Sequence, residues 1–263
     1  MSDYIVSATS SALRRDPSHE SEQISRLLLG ERFNVTREAD EGRWAYGAGP
    51  DGYEGWLRTW HLVAGKERPK PDRSVSARWS RALSENHEGA EILLDLSFGT
   101  GLLPSGEAQD GFIPWTLPDG RSAWTPVDDL EPTGSGGLVQ LIERGRRLLG
   151  VPYEWGGRSS AGLDCSGFIQ LLFGGLGIDL PRDAHQQAEC GCQGPLEDLR
   201  LWLPGDLIFY GPERIEHVGL WLGRGRLLHA SGHVRIEELD AKGQLPGDGR
   251  PALAARSRIL STV

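Results

Sequence analysis

Through "LLLGERFNVTREADEGRWAYGAGPDGYEGWLRTWHLV", Leu27 to Val63, a turn-forming cluster recurs about every 8–12 residues, too often for helices of ordinary length. This punctuation constrains the N-terminal part of the chain more than any other feature. Each uninterrupted piece is long enough for a short strand and little else. "GERFNVT" alternates, with Phe33 and Val35 on one face, as a half-buried strand does. "DEGRWAYG" reads as a turn feeding a strand, and "DGYEGWLRTWHL" as a hairpin turn, a strand and a short helical turn. The 36 Gly and 16 Pro among 263 residues fit many turns joined by short strands. A chain of this length exceeds what one core usually holds, so two or three domains are expected.

The pattern then repeats. "LDLSFGTGLLPSG" stands where "RLLLGERFNVT" stood. "DGFIPWTLPDGRSAWTPVDDL" stands where "EGRWAYGAGPDGYEGWLRTWHL" stood. In both, a Gly-led strand carries a Trp, an Asp-Gly turn follows, and a second Trp strand ends in a Leu. A period of about 65 residues indicates a duplicated small β-domain. Residues 1–65 form the first copy and 75–132 the second, with the charged, Pro-rich "KERPKPDRS" of 66–74 as linker. The two copies resemble bacterial SH3-like (SH3b) domains, which implies small all-β barrels that serve as binding or spacer modules.

After "EPTGSGG" the texture changes, and residues 138–263 read as a third domain. "LVQLIERGRRLLG" spaces Leu138, Leu141, Ile142, Leu148 and Leu149 as a helix would, with Gly150 as its stop. A second helix is expected from Asp164. It is followed by the strand-like runs "GDLIFY", "HVGLWL", "RLLHAS" and "VRIEEL". Helices first and an antiparallel sheet after is an α+β layout.

Cys165, Phe168, Ile169 and Leu172 fall on one face of that second helix. With Asp164 as N-cap, Cys165 sits in the first turn, where free N–H groups and the positive helix end favour a thiolate. Asp164 opposes this with its own charge, so a thiolate would need a cationic neighbour. Taken alone, the helix also fits a small buried apolar cysteine. His217 opens "HVGLWL" and His229 lies in "RLLHAS", with "GRGR" between them. A hairpin folded near Gly223 sets the two histidines across from each other within a residue or two, on one sheet face. A base beside the thiol and a second group orienting the base is the arrangement of a cysteine hydrolase. His185 and His233 are rivals for these roles. His19, His61 and His87 fall in the β-domains and read as surface or packing residues.

"VPYEWGGRSSAGLDCSGFIQLLF", "LPRDAHQQ", "PGDLIFY" and "EHVGLWLGRGRLLHAS", in that order, resemble the NlpC/P60 family of cell-wall peptidases. The resemblance covers 138–263. It implies a papain-like α+β fold, with Cys165 as nucleophile, His217 as base and His229 as the third, orienting residue. The implied activity is cleavage of the γ-D-glutamyl bond to a diamino acid in peptidoglycan stem peptides, without metal or cofactor. A subgroup that joins N-terminal SH3b domains to this peptidase acts on fragments with a free N-terminal L-Ala. By that likeness Tyr153, Trp155, Asp164 and Ser166 line the site, and Arg182 and Asp183 fill its "PRD" element. Where many relatives carry Ser next, this chain has Ala184, which removes one polar contact. In the subgroup a Glu and a Tyr of the first SH3b domain reach the substrate amine. Glu22 and Tyr53 match best, with Glu20 as a rival for the first. A carboxylate such as Asp164 suits an ammonium through a charge-assisted hydrogen bond and is left unpaired by an acylated amine.

The formal net charge of -9 argues against nucleic acid as a partner, because a polyanion site needs a basic footprint. No run of about 18 apolar residues offers a membrane span, and the first residues lack the pattern of a signal peptide, so a cytoplasmic protein in cell-wall recycling is expected. Three cysteines do not make a disulfide framework, and Cys190-Gly191-Cys192 alone is a poor metal set. Two rivals remain: an amidase or acyltransferase on the same papain-like scaffold, and a cell-wall binding protein in which the SH3b pair does the work.

Overall fold

A computed structural model describes residues 2–65, 69–196, 198–211, 213–247 and 252–260. Residues 66–68 of the expected linker lie outside the described residues. The chain divides into two compact units, Met1–Gly134 with Trp155–Ala161, and Ser135–Glu154 with Gly162–Val263.

The first unit is built from short antiparallel strands, as the turn spacing demands. In its first copy seven strands run in the order Gln23–Leu28, Ser10–Arg14, Glu54–Arg58, Trp44–Ala48, Arg32–Ala39, Ser2–Val6, Leu62–Ala64. Val6, Leu13, Leu27, Phe33, Val35, Ala45 and Leu57 form its core, so Phe33 and Val35 do share the inward face. The second copy repeats the element order about seventy residues on, down to the short 3-10 turns Thr59–His61 and Val127–Asp129. Its strands pair as a four-stranded sheet and a three-stranded one. The three-stranded sheet includes Arg73–Val75, so the expected linker ends two residues early and its last residues are a strand.

Residues 155–161 group with these sheets, although the sequence motif around them belongs to the third domain. The cause is a set of specific bonds. The Trp155 Nε1–H donates to Glu22 Oε1 at 2.8 Å, and Gln23 Nε2 donates to the Trp155 carbonyl at 3.0 Å. Arg158 holds Glu31 with two parallel bonds of 2.9 and 2.8 Å, a fork geometry stronger than a single contact. Ser160 N–H donates to Ser97 Oγ and Phe98 N–H donates to Ser160 Oγ, each at 2.9 Å. Gly156 adopts φ +69°, and a Cβ there would lie 2.5 Å from the Gln23 carbonyl, so only glycine fits.

The second unit has the expected α+β layout. Helix α1 is Leu138–Arg147, α2 is Cys165–Gly175 and α3 is the single turn Ala184–Gln187. Six antiparallel strands follow in the order Cys192–Gln193, Leu253–Arg258, Leu207–Tyr210, His217–Gly223, Arg226–Ser231, His233–Glu238. Helix α2 differs from the one-faced expectation. Every residue from Cys165 to Phe173 is buried, polar Ser166 and Gln170 included, so the helix is covered on all sides. Gly145 of α1 allows the close approach, since a Cβ there would lie 2.5 Å from Leu228 and 3.3 Å from Leu172. Just before the strand Leu207–Tyr210, buried Asp206 accepts from Arg256 at 2.6 Å and from Arg258 at 2.7 Å, pinning the strand Leu253–Arg258. Burial would raise the Asp206 pKa, but Arg258, the Leu203 N–H and Arg256 outweigh it and hold the carboxyl below its usual range.

Candidate active site

The site starts at the α2 N-terminus. Asp164 is extended (φ -89°, ψ 176°) and its Oδ1 accepts the Gly167 N–H at 2.7 Å, an N-cap that makes Cys165 the first helical residue. The Cys165 sulfur lies 3.8 Å from the Glu216 carbonyl, within the reach of a thiol donor. The Val218 N–H points back at the same sulfur. The backbone on both sides of His217 therefore brackets the thiol. Burial pushes the thiol pKa up to about 12, Asp164 adds to this, and the Val218 N–H, Arg182 and the Ser166 N–H only partly offset it. At rest the group is a thiol, and it needs a base at the moment of attack.

Hairpin geometry supplies the histidines. His217–Gly223 and Arg226–Ser231 are joined by a turn in which Arg224 and Gly225 take φ of 54° and 74°. An irregularity between Trp221 and Gly223 shifts the register by one residue, so Leu220 faces Leu228. Continued along the ladder, Gly219 rather than His217 faces His229. A Cβ on Gly219 would lie 3.0 Å from the His229 Cβ. The missing side chain leaves space on that face, and His217 leans diagonally across it. Its Nε2 lies 2.7 Å from His229 Nδ1, the rings tilted at 77°.

His229 is fully buried. Its other nitrogen, Nε2, lies 2.9 Å from Glu237 Oε2, a charge contact set at an angle to a straight N–H···O line. Arg235 Nη2 meets the other oxygen of Glu237 at 2.7 Å. Glu237 and Arg235 escaped the sequence reading. Arg235 is registered opposite His229, and two residues on, Glu237 shares its face. The alternation in "VRIEEL" is the signal that was there to be used.

Asp164, Ser166 and Arg182 are brought together. Arg182 Nη1 donates to Asp164 Oδ1 at 3.0 Å and to Ser166 Oγ at 2.9 Å, while Nη2 donates to Asp164 Oδ2 at 2.5 Å. The Ser166 hydroxyl is thus engaged in this cluster, and Arg182 is part of its wall. Asp183 is half-buried at the cap of α3. Gln187, also missed, is fully buried and donates to the Ser166 carbonyl at 3.0 Å and to the Pro181 carbonyl at 2.8 Å. Tyr153 is half-buried, and burial together with Cys165 and Asp164 pushes its pKa up, which places it beside the thiol. Trp155, Glu22 and Tyr53 lie in the other unit. Trp155 and Glu22 are bonded there, Glu22 also pairs with Arg15 at 2.9 Å, and Tyr53 packs on the first core. Glu20 is exposed.

His185 lies in α3 and His233 is exposed at the start of the strand His233–Glu238. His61 Nδ1 lies 2.8 Å from Ser11 Oγ, and His19 packs on Trp44. Among the described residues no group of three or more His, Cys, Asp or Glu is arranged to hold a metal ion, and no helix is long and apolar enough to cross a membrane.

Comparison with known proteins bears on this geometry. The NlpC/P60 family profile matches residues 150–245, and that of the bacterial dipeptidyl-peptidase SH3 domain matches residues 13–62, the first copy. A gamma-D-glutamyl-L-lysine dipeptidyl-peptidase of Bacillus subtilis is 33% identical over 222 residues, 78% of this chain and 71% of its own. The chain belongs to the NlpC/P60 family. A dipeptidyl-peptidase of the same name from Bacillus cereus is 29% identical over 72% of this chain and 60% of its own. A solved NlpC/P60 family protein from Bacillus cereus, 22% identical, matches with a TM-score of 0.86 over 99% of this chain and 100% of that one. At that identity the likeness concerns the fold. It includes the NlpC/P60 papain-like α+β domain.

Proposed function

We propose that this NlpC/P60 protein is a cysteine peptidase that cuts the γ-D-glutamyl–diamino acid bond of peptidoglycan stem peptides with a free N-terminal L-Ala, acting in the cytoplasm in cell-wall recycling. The observation that carries the reading is the convergence of a helix-start thiol with two histidines 2.7 Å apart. The similarity to gamma-D-glutamyl-L-lysine dipeptidyl-peptidases supports the bond cleaved.

In this reading His217 takes the Cys165 proton as the sulfur attacks the γ-glutamyl carbonyl carbon. The carbonyl oxygen becomes an oxyanion, met by backbone N–H groups at the α2 N-terminus, including that of Cys165. As the C–N bond breaks, the imidazolium gives its proton to the departing amine, leaving a thioester. Water, deprotonated by His217, then releases L-Ala-γ-D-Glu and restores the thiol. A thiol held at high pKa fits this general-base route better than a resting ion pair.

Asp164 is assigned to the L-Ala ammonium. Of the described donors, three reach its Oδ1 and a single Arg182 N–H reaches Oδ2, so Oδ2 is the oxygen a substrate amine would address. Because Arg182 already pairs with both carboxylate oxygens, an acylated amine does not leave Asp164 unpaired as the sequence suggested, and the preference for a free amine rests on the added hydrogen bond to Oδ2.

The test is hydrolysis of L-Ala-γ-D-Glu-diaminopimelate. Cleavage after D-Glu is expected, with loss in C165A and a large drop when the Ala amine is acetylated. Equal cleavage of the acetylated peptide removes the amine requirement. Full activity in C165A removes the mechanism.

A further inference from the structure

The distance between His217 Nε2 and His229 Nδ1 leaves room for one proton, carried by one nitrogen and accepted by the other. A base needs a bare nitrogen for the thiol. With Nε2 turned to His229, the nitrogen available to Cys165 is Nδ1, so the His217 proton must sit on Nε2. His229 Nδ1 must then be bare, and its own proton must sit on Nε2. That N–H is fully buried and requires an acceptor inside the protein. The group facing it at 2.9 Å is Glu237 Oε2, a carboxylate whose negative charge favours the proton on this side of the ring, although the contact is bent away from hydrogen-bond geometry.

We infer that Glu237 is a positioning residue: it holds the His229 proton on Nε2 and thereby keeps His229 Nδ1 as the acceptor that orients His217. This rests on the reading of Cys165 and His217 as nucleophile and base. Arg235 fixes the carboxylate by gripping Oε1 at 2.7 Å, leaving Oε2 turned to the ring. The strands dictate the placement, because Arg235 is registered opposite His229 and Glu237 follows two residues later on the same face. When His217 takes the thiol proton, the positive charge it gains faces His229 and, behind it, a carboxylate. Among the described residues, the other titratable groups around the pair are Tyr210 on the neighbouring strand, with its ring 6.2 Å from that of His217, and Cys165 on α2 with Tyr153 beside the thiol and Asp164 and Arg182 around the cap. Tyr210 Oη donates to the Gly243 carbonyl at 3.1 Å, which turns that proton away from the relay.

The experiment uses the full chain with 15N-labelled histidine, in the wild type, E237Q and E237M. In the wild type, NMR is expected to show His229 protonated on Nε2 and bare on Nδ1. E237M loses both acceptor and charge, and its kcat should fall about 10–100-fold with KM within about two-fold. E237Q can still offer its amide oxygen to Nε2–H, so it should keep the tautomer and lose less rate. Removing the negative charge makes the imidazolium less favourable. The acid limb of the kcat/KM profile should therefore move to lower pH in both variants. Melting curves show whether each variant is folded, and E237Q, near in shape to Glu, stands in if E237M is not. A wild-type His229 protonated on Nδ1 overturns the inference. So does a fall in kcat with neither a tautomer change in E237M nor a moved limb, which marks a structural role. The tautomer readout does not depend on peptide hydrolysis, so it stands or falls apart from the proposed function.

Discussion

Replacing Gly219 by alanine tests whether the histidine pair depends on an absent side chain. The new Cβ would lie 2.7 Å from Leu227 Cγ and 3.0 Å from the His229 Cβ. Both neighbours are fully buried and cannot swing into solvent. To regain ordinary contact His229 must retreat by about 0.4 Å and Leu227 by about 0.7 Å. The 2.7 Å bond between the histidines then stretches to about 3.1 Å, and its line is bent. Overpacking of this size costs about 1–3 kcal/mol, and each kcal/mol lowers the melting temperature by about 2–4 °C in a chain of this size. Misplacement of a base by a fraction of an ångström is expected to lower kcat by about 10–100-fold, with KM little changed. Steady-state hydrolysis of the stem peptide and a thermal melt read the two effects. G174A is the matched control, because nothing lies within 4 Å of a Cβ at that helical position. It should keep full activity and gain about 0.5–1 kcal/mol. G219A with wild-type kcat and melting temperature would refute the reasoning, as would an equal kcat loss in G174A.

R182M should cost about 3–5 kcal/mol in urea unfolding, because it strands the Asp164 carboxylate in a buried site. The double variant R182M/D164N should recover part of that loss; no recovery would mean that Arg182 acts through packing alone. The raised Cys165 thiol predicts the pH dependence of alkylation. In the triple variant H217A/C190S/C192S, reaction with iodoacetamide should be much slower near neutral pH than for an ordinary thiol of pKa about 8.5, and should keep rising with pH beyond about 8.5. A plateau near pH 8.5 would show that the thiol is not held up by burial and Asp164.

Much of the site could be read in the sequence because it rests on local geometry. An N-cap before a helix and two strands around a four-residue turn fix where Cys165, His217 and His229 point. The register was harder. The irregularity between Trp221 and Gly223 shifts the ladder, so Gly219 takes the place across from His229 and His217 reaches it on the diagonal. Nothing in the spacing of the turn announces that shift. Glu237 needed one more hairpin to be folded correctly, with Arg235 in register, before its carboxylate met the ring. Helix α2 showed a clear apolar face, but its other side is covered too, which depends on what packs there. The duplicated β pattern was legible because turn residues set strand ends locally. The attachment of 155–161 was not, since its partners Glu22, Glu31 and Ser97 lie far away in the chain.

That attachment bears on how such a protein can be cut and recombined. A gene fragment beginning at the end of the second β copy would encode the whole NlpC/P60 match. Yet it would leave behind Glu31, the acceptor for both Arg158 donors, and Ser97, the partner of Ser160. The seven residues from Trp155 to Ala161 would then be orphans in their own motif. The boundary drawn by sequence motif and the boundary drawn by contacts do not coincide. Shuffling at the first boundary would transplant a segment without its anchorage, whereas a cut drawn by contacts keeps Trp155–Ala161 with the β copies.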